Sequence, residues 1–293
     1  MNDQDWLAER FEQNRGHLRA VAYRMLGSLS EADDAIQETW LRLGRSDASS
    51  IDNLGGWLTT VVARVCLDML RSRTSRREES LDTEIVEPPS KSAPLDPEQE
   101  AVLADSVGLA LLVVLDRLSP AERLAFVLHD LFAMPFDEIA RIVGRTEEAT
   151  RQLARRARRR VQGEGRVSDT ELHQQRDVVD KFLAALRAGD FDGLVALLEP
   201  DVLVNIDEAA AAPGAAREIR GAATWAKNAI AFSRGARFVR PVLVDGTVGA
   251  MLAPQGHLSR VLRLTIKEGK IRQVDIIGDP VRLQELDLAV LEN

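Results

Sequence analysis

"PFDEIARIVGRTEEATRQLARRARRRV", residues 135–161, holds two helical patterns on either side of a glycine. Phe136, Ile139, Ala140 and Val143 recur at i, i+3, i+4 and i+7, which makes one apolar helix face. Gly144 can take the left-handed backbone that ends such a helix, and Thr146 can cap the next one through its hydroxyl oxygen. The spacing predicts a helix-turn-helix. Its second helix carries six arginines in its last eleven residues, and no acid lies between 149 and 163. With Leu153 at the centre of the buried face, a step of about 100° per residue sends Arg151, Gln152, Arg155, Arg158 and Arg159 outward and keeps Ala149 and Ala157 with Leu153. A cationic stripe of that kind fits DNA phosphates and base edges, where arginine can contact guanine bidentately. An ordinary solvated helix paired with acids elsewhere is the competing reading, and the missing local acids weigh against it.

So basic a helix stands out in a chain of 293 residues with a formal net charge of −8. A second basic stretch, "WLTTVVARVCLDMLRSRTSRRE" at 57–78, carries Arg64, Arg71, Arg73, Arg76 and Arg77 against Asp68 alone before Glu78. Ahead of it, "DDAIQETW" at 33–40 offers a helix whose exposed polar groups are Asp33, Asp34, Gln37 and Glu38. An acidic surface repels DNA, so this one is expected to meet protein.

The pattern changes along the chain. "FEQNRGHLRAVAYRML" places Phe11, Leu18, Val21, Ala22 and Met25 at helical intervals, and "SEADDAIQETWLRL" starts at Ser30 with acids in its first turn, so the first 80 residues read as a helical bundle. "SLDTEIVEPPSKSAPLDPEQE" then places four prolines between 88 and 97, and reads as a linker over 81–97 because proline removes backbone donors and blocks helix. Residues 98–163 read as a second helical domain. After the polar break around "GEGRVSD" the chain turns α+β from residue 172 to 293, with strand-like runs "RFVRPVLVD", "HLSRVLRLTI" and "IRQVDII".

Several function classes drop out. There is no apolar run of the roughly 18 residues a membrane span needs and no signal-peptide layout at the start, which predicts a soluble cytoplasmic protein without membrane insertion. Cys66, the single cysteine, sits in an apolar run and reads as a buried structural thiol, not as a disulfide or zinc ligand. His17, His129, His173 and His257 are scattered, and there is no phosphate-binding glycine loop or nucleophile elbow, so no metal, cofactor or catalytic residue is expected. An enzymatic alternative would draw on Asn205, Asp207, His257 and Asp275 in the α+β part, each of which reads equally well as a strand-end or surface polar residue.

The order of these features resembles an extracytoplasmic-function sigma factor of the sigma-70 family. "YRMLGSLSEADDAIQETWLRL" is similar to the polymerase-binding part of region 2, "GWLTTVVARVCLDMLRSRTSRRE" to its promoter-melting part, and "LSPAERLAFVLHDLFAMPFDEIARIVGRTEEATRQLARRARRRV" to region 4. The remainder resembles the SnoaL-like domain fused to some of these factors, a cone of curved sheet packed with helices, on "VVDKFLAALRAGDFDGLVALLEPDVLVNID" and "HLSRVLRLTIKEGKIRQVDIIGDPVRL". Related fused proteins carry a Gly-rich motif after the first strand and an Asn-Pro-Asp-Lys-like motif near the end; here stand "NIDEAAAAPGAAREIRG" and "IGDPVRL".

The resemblance implies two all-α sigma domains followed by an α+β SnoaL-like domain, with core RNA polymerase and promoter DNA as partners. Asp33, Asp34, Gln37, Glu38 and Trp40 would dock on the polymerase. The opened −10 element would meet Asn53, Trp57, Arg64, Arg71, Arg73 and Arg76, and the −35 element Thr146, Arg151, Gln152, Arg155, Arg158 and Arg159. The linker carboxylates Asp82, Glu84 and Glu87 would either imitate nucleic-acid charge in the polymerase or act as a solvated spacer. The C-terminal domain would regulate in cis, through a small-molecule or protein signal, by docking apolar patches that include Trp225 and a terminal helix bearing Leu283, Leu286 and Val290; these residues also read as the cone's own core. A one-component helix-turn-helix regulator with a ligand-binding cone is the alternative, and it leaves "DDAIQETW" without a role.

Overall fold

The computed structural model describes residues 3–46, 51–80, 106–163, 168–211, 214 and 216–291. The linker at 81–97, with Asp82, Glu84 and Glu87, lies outside the described residues. By their contacts, residues up to 80 and 115–158 make one compact unit, and 106–114 with the residues from 159 onward make another.

In the first unit α1 (Asp3–Leu26), α2 (Leu29–Gly44) and α3 (Leu54–Ser80) pack against one another. The helical spacing read from the sequence holds: Phe11, Leu18, Val21, Ala22 and Met25 are all buried, against Ala35, Ile36 and Leu43 of α2 and Leu58, Val62 and Cys66 of α3. Gly27, at φ 76°, turns the chain after α1, and the Ser28 hydroxyl caps α2 by accepting from the Glu31 N–H at 3.5 Å. Cys66 is fully buried, and burial pushes its thiol up to about 12, as befits an inert core thiol.

After α4 (Ser106–Leu115), helix α5 (Pro120–Phe126) opens with a reciprocal capping box between Ser119 and Glu122. It runs into a π-helical turn (Val127–Leu131), then α6 (Phe136–Val143) and α7 (Glu147–Gln162). Helix α3 packs on α5 and α6. At this seam lies Arg123, 2% exposed, whose Nε donates to the Arg24 carbonyl at 3.2 Å and whose Nη1 donates to Asp116 Oδ1 at 3.3 Å. Burial depresses its pKa, while Asp116 opposes that shift.

The second unit carries α8 (Asp169–Ala188), α9 (Phe191–Leu197), β1 (Leu198–Ile206), β2 (Glu218–Arg220), α10 (Ala222–Ala231) and a short 3-10 turn (Ser233–Phe238). There follow β3 (Val239–Val244), β4 (Thr247–Leu252), β5 (Arg260–Lys267), β6 (Lys270–Ile277), α11 (Pro280–Glu285) and β7 (Leu288–Ala289). The sheet order is β2-β1-β6-β5-β4-β3-β7, antiparallel throughout except for the parallel β1/β6 pair. Gly249 in β4 has no room for a side chain: a Cβ there would stand 2.6 Å from the Leu262 carbonyl oxygen and 2.8 Å from Val244. One face of the sheet joins Phe182 and Val179 of α8, Leu194 of α9 and Trp225 of α10 in a core with Val204, Ala250 and Val274.

The terminal helix expected to carry Leu283, Leu286 and Val290 does not form over that span. α11 stops at Glu285, and Leu288 and Ala289 pair with Val244 and Leu243 of β3. Two bonds, the backbone Asp245 N–H to the Asp287 carbonyl and the Asp287 N–H to the Asp245 side-chain Oδ1, flank that pairing. Non-local sheet hydrogen bonds override the helical spacing of the leucines.

Candidate functional site

On the first unit, α1 and α2 enclose a hollow of about 340 Å³ lined by Phe11, Glu12, Arg15, Asp34, Gln37 and Trp40, among others. Trp40, 38% exposed, is held edge-on against Phe11 with ring centroids 5.0 Å apart. Of the acids on this face, Asp33 pairs with Arg19 at 3.2 Å and Glu38 with Arg42 at 2.8 Å. Asp34 and Gln37 are exposed and have no side-chain partner among the described residues. An apolar floor with an unpaired carboxylate and an amide at its edge is suited to a basic protein surface.

The first basic helix, α3, is less free than its sequence reads. Asn53 caps it, accepting from the Gly56 N–H at 3.0 Å, and Trp57 is half-buried. Arg73 donates to Glu31 Oε1 at 3.0 Å and to the Leu26 carbonyl at 3.2 Å, so it ties α3 to α1 and α2. Arg64 reaches the Arg141 carbonyl of α6 at 3.4 Å. Arg71 and Arg76 stay exposed, beside Asp68 at 4.0 Å and Ser72 at 3.0 Å.

The helix-turn-helix forms as its spacing predicts. Gly144 is left-handed at φ 72°, ψ 42°, and Thr146 Oγ1 accepts from the Ala149 N–H at 3.2 Å. The phase of α7 differs from the expectation, however. Its buried residues are Thr150, Ala154, Ala157 and Val161, with Leu153 only half-buried at the margin. That turns the buried face by roughly 70° at 3.6 residues per turn. Thr150 tolerates burial because its hydroxyl donates to the Thr146 carbonyl at 2.9 Å, and the alanines allow close approach. Thr146, Arg151, Gln152, Arg155 and Arg159 are exposed, whereas Arg158 is half-buried and bonds Asp130. Arg151 pairs with Glu147 along the helix and lies 5.5 Å from the Phe136 ring centroid. Arg156, absent from the predicted stripe, bonds Glu122 of the α5 capping box at 3.0 Å.

In the second unit the four residues of the enzymatic alternative do not converge. Asp275 accepts from Asn205 Nδ2 and Gln273 Nε2, each at 2.8 Å, and from Arg263 at 3.1 Å. Burial pushes its carboxyl up, but these donors outweigh it and hold it below the usual range. Asp207 is likewise raised by burial and lowered further by the backbone N–H groups of Asp279, Gly278 and Ala210 and by Arg282. Strand alternation puts Asn205 and Asp275 on the sheet face opposite Ile206, Ile276 and Leu262, which line a cavity of about 610 Å³ on the other side. His257 is exposed after the turn at Pro254–Gly256. Among the described residues no cluster of His, Cys, Asp or Glu is arranged to hold a metal, and no helix is long and apolar enough to cross a membrane.

The buried Arg123 and its carbonyl partner were not legible in the sequence; within "PAERLAF" only the apolar Leu124, Ala125 and Phe126 that follow it hint at burial.

Residues 10–76 match the sigma-70 region 2 family model, and residues 108–161 match sigma-70 region 4. The chain is 38% identical over 286 residues to the ECF RNA polymerase sigma factor SigJ of Mycobacterium tuberculosis, covering 92% of this chain and 91% of SigJ. It is 34% identical over 289 residues to the probable ECF RNA polymerase sigma factor SigI of the same species, covering 98% of each. The crystal structure of M. tuberculosis SigJ matches over 94% of this chain and 98% of its own, at 34% identity and a TM-score of 0.46. Sequence identity of 38% to SigJ and 34% to SigI over more than nine-tenths of the chain, with sigma-70 regions 2 and 4 in order, establishes that the chain belongs to the ECF RNA polymerase sigma factors.

Proposed function

We propose that this chain docks on core RNA polymerase through the α1–α2 hollow, reads promoter DNA with α3 and α7, and is regulated in cis by its sheet-containing unit. It binds the polymerase and directs promoter-specific initiation, as sigma factors do, and it works in the cytoplasm as a regulator of transcription, not as an enzyme. Residues 1–80, 98–163 and 172–293 act as its three working modules, with 81–97 as a spacer that threads the polymerase. The observation that carries the reading is the pairing, on one chain, of a protein-docking hollow edged by Asp34 and Gln37 with an arginine face on α7. A one-component regulator would use the second and leave the first idle.

Within the docking set, the unpaired Asp34 and the Trp40 floor contribute most, because Asp33 and Glu38 already spend their charge on Arg19 and Arg42. Within the −10 set, Arg71 and Arg76 with Trp57 face the DNA, while Arg73 holds the bundle. Within the −35 set, Gln152, Arg155 and Arg159 lie nearest the outward direction of α7. The test is run-off transcription with purified core polymerase. Asp34→Lys with Trp40→Ala should weaken polymerase capture by at least about tenfold while leaving the melting temperature within a few degrees. Undiminished capture and transcripts from that double variant would sink the docking assignment.

A further inference from the structure

The cavity in the sheet-containing unit has the chemistry of a binding site. It holds about 610 Å³, within the roughly 300–1,000 Å³ range of small-molecule sites, and opens beside Phe232, which is 61% exposed. Its walls are mostly apolar, from Phe182, Ile206, Trp225 and Leu262 among others. Three polar side chains break that pattern, of which Asn228 is exposed and offers both a donor and an acceptor. Trp225 is 5% exposed, and its Nε1 is buried without a hydrogen-bond partner among the described residues. A buried donor left unpaired is costly, so a lining residue whose indole N–H has no partner favours a ligand acceptor that can reach it. The third is Arg260, which lines the cavity from the start of β5 and whose side chain makes no ion pair or hydrogen bond among the described residues. No aspartate or glutamate lines the cavity with it.

From this we infer that the cavity binds an apolar small molecule bearing a single carboxylate, whose oxygens take the Trp225 N–H and the Arg260 guanidinium while its hydrocarbon part fills the space between α8, α10 and the sheet. One cation, two neutral polar groups and no acid select an anion over a cation, and the mostly apolar walls select a hydrocarbon body over a sugar or nucleotide. The inference deepens the regulatory reading of this unit, since it names the class of signal, and it rests on that reading only for its consequence in transcription.

The experiment uses the full chain and anilinonaphthalene sulfonate, a fluorescent apolar anion, with dodecanoate and dodecanol as competitors below their aggregation limits. Saturable fluorescence should be displaced by dodecanoate and not by dodecanol. Arg260→Leu should weaken probe binding by about tenfold or more, and Trp225→Phe by about three- to tenfold. Dodecanoate should raise the melting temperature of the native chain and not that of Arg260→Leu. Equal competition by dodecanol, or native affinity in Arg260→Leu, would overturn the carboxylate assignment, and absence of saturable binding would overturn the site. Arg260 stands at a strand start, so its variant decides the matter should Trp225→Phe fail to fold. Run-off transcription in parallel separates the two readings: lost binding with intact initiation fails the ligand inference alone, and intact binding without initiation fails the sigma reading alone.

Discussion

The seam where α3 packs on α5 and α6, and the outer face of α7, both rely on arginine, in opposite ways. Arg123 is buried, with two of its nitrogens committed to the Arg24 carbonyl and to Asp116. Arg155 and Arg159 of α7 are exposed. The helix α3 mixes both uses, since Arg73 is bound to Glu31 and the Leu26 carbonyl while Arg71 and Arg76 face outward. A count of arginines along a helix therefore marks a DNA face only after those that hold the protein together are set aside.

The sharpest way to break the comparison is to truncate the buried member. Arg123→Ala would remove the bonds to the Arg24 carbonyl and to Asp116 and leave a void in the seam, and should cost about 2–4 kcal/mol of unfolding free energy in urea titrations. Arg155→Ala, by contrast, should stay within about 0.5 kcal/mol of the native protein. Equal stabilities of the two variants would erase the distinction drawn between seam and face.

DNA binding should show the reverse order. In promoter binding by the assembled holoenzyme, alanine at Gln152, Arg155 or Arg159 should cost about 1–3 kcal/mol and relax one base preference where the contact is to a base edge. Where it is to a phosphate, all promoters should weaken alike and the salt slope should fall by about one. Arg73→Ala should instead lower stability by about 1 kcal/mol, through the lost bonds to Glu31 and Leu26, and leave promoter choice unchanged. Anisotropy titrations at several salt concentrations, paired with thermal melts, separate the two behaviours.

The sequence made the helices of the first unit and the helix-turn-helix legible because their apolar periods, Gly144 and the Thr146 cap are local signals. The phase of α7 was harder. Leu153 looks like the natural centre of its buried face, yet small residues at 154 and 157 and a threonine that can satisfy its own hydroxyl pack closer than a leucine can. The partners of Arg73 and Arg158, and the Arg24 carbonyl that Arg123 bonds, lie far off in sequence or on the backbone, where no residue pattern announces them. In the second unit β3, β5 and β6 were readable from their branched runs, while β4 was hidden by Gly249 and Ala250, and at Gly249 the small size answers to the Leu262 carbonyl and not to strand propensity. β7 was hidden because "LDLAVL" keeps helical spacing, and the presence of Trp225 and Arg260 in one cavity lining depends on a topology that no local pattern encodes.

A third use of arginine gives the smallest effect. Arg263 lies partly exposed on the sheet's other face and bonds Asp275, whose second oxygen accepts from Asn205 and Gln273. Burial disfavours the Asp275 carboxylate, the three donors favour it, and the donors win, so the folded protein binds that proton more weakly than the unfolded chain does. The stability this contributes is fully present above the unfolded aspartate value of about 3.9 and is lost as pH falls through the lower folded value. Asp275→Asn removes the titration but keeps an acceptor for one of the donors. Its melting temperature should lie slightly below that of the native protein at pH 7, and the gap should close as the pH drops below about 4. Asp207 titrates in both proteins, so the difference between their pH profiles isolates Asp275. A gap that stays constant down to acid pH would show that Arg263 and its neighbours hold this carboxylate no better than water does, and would place Arg263 with the expendable arginines of α7.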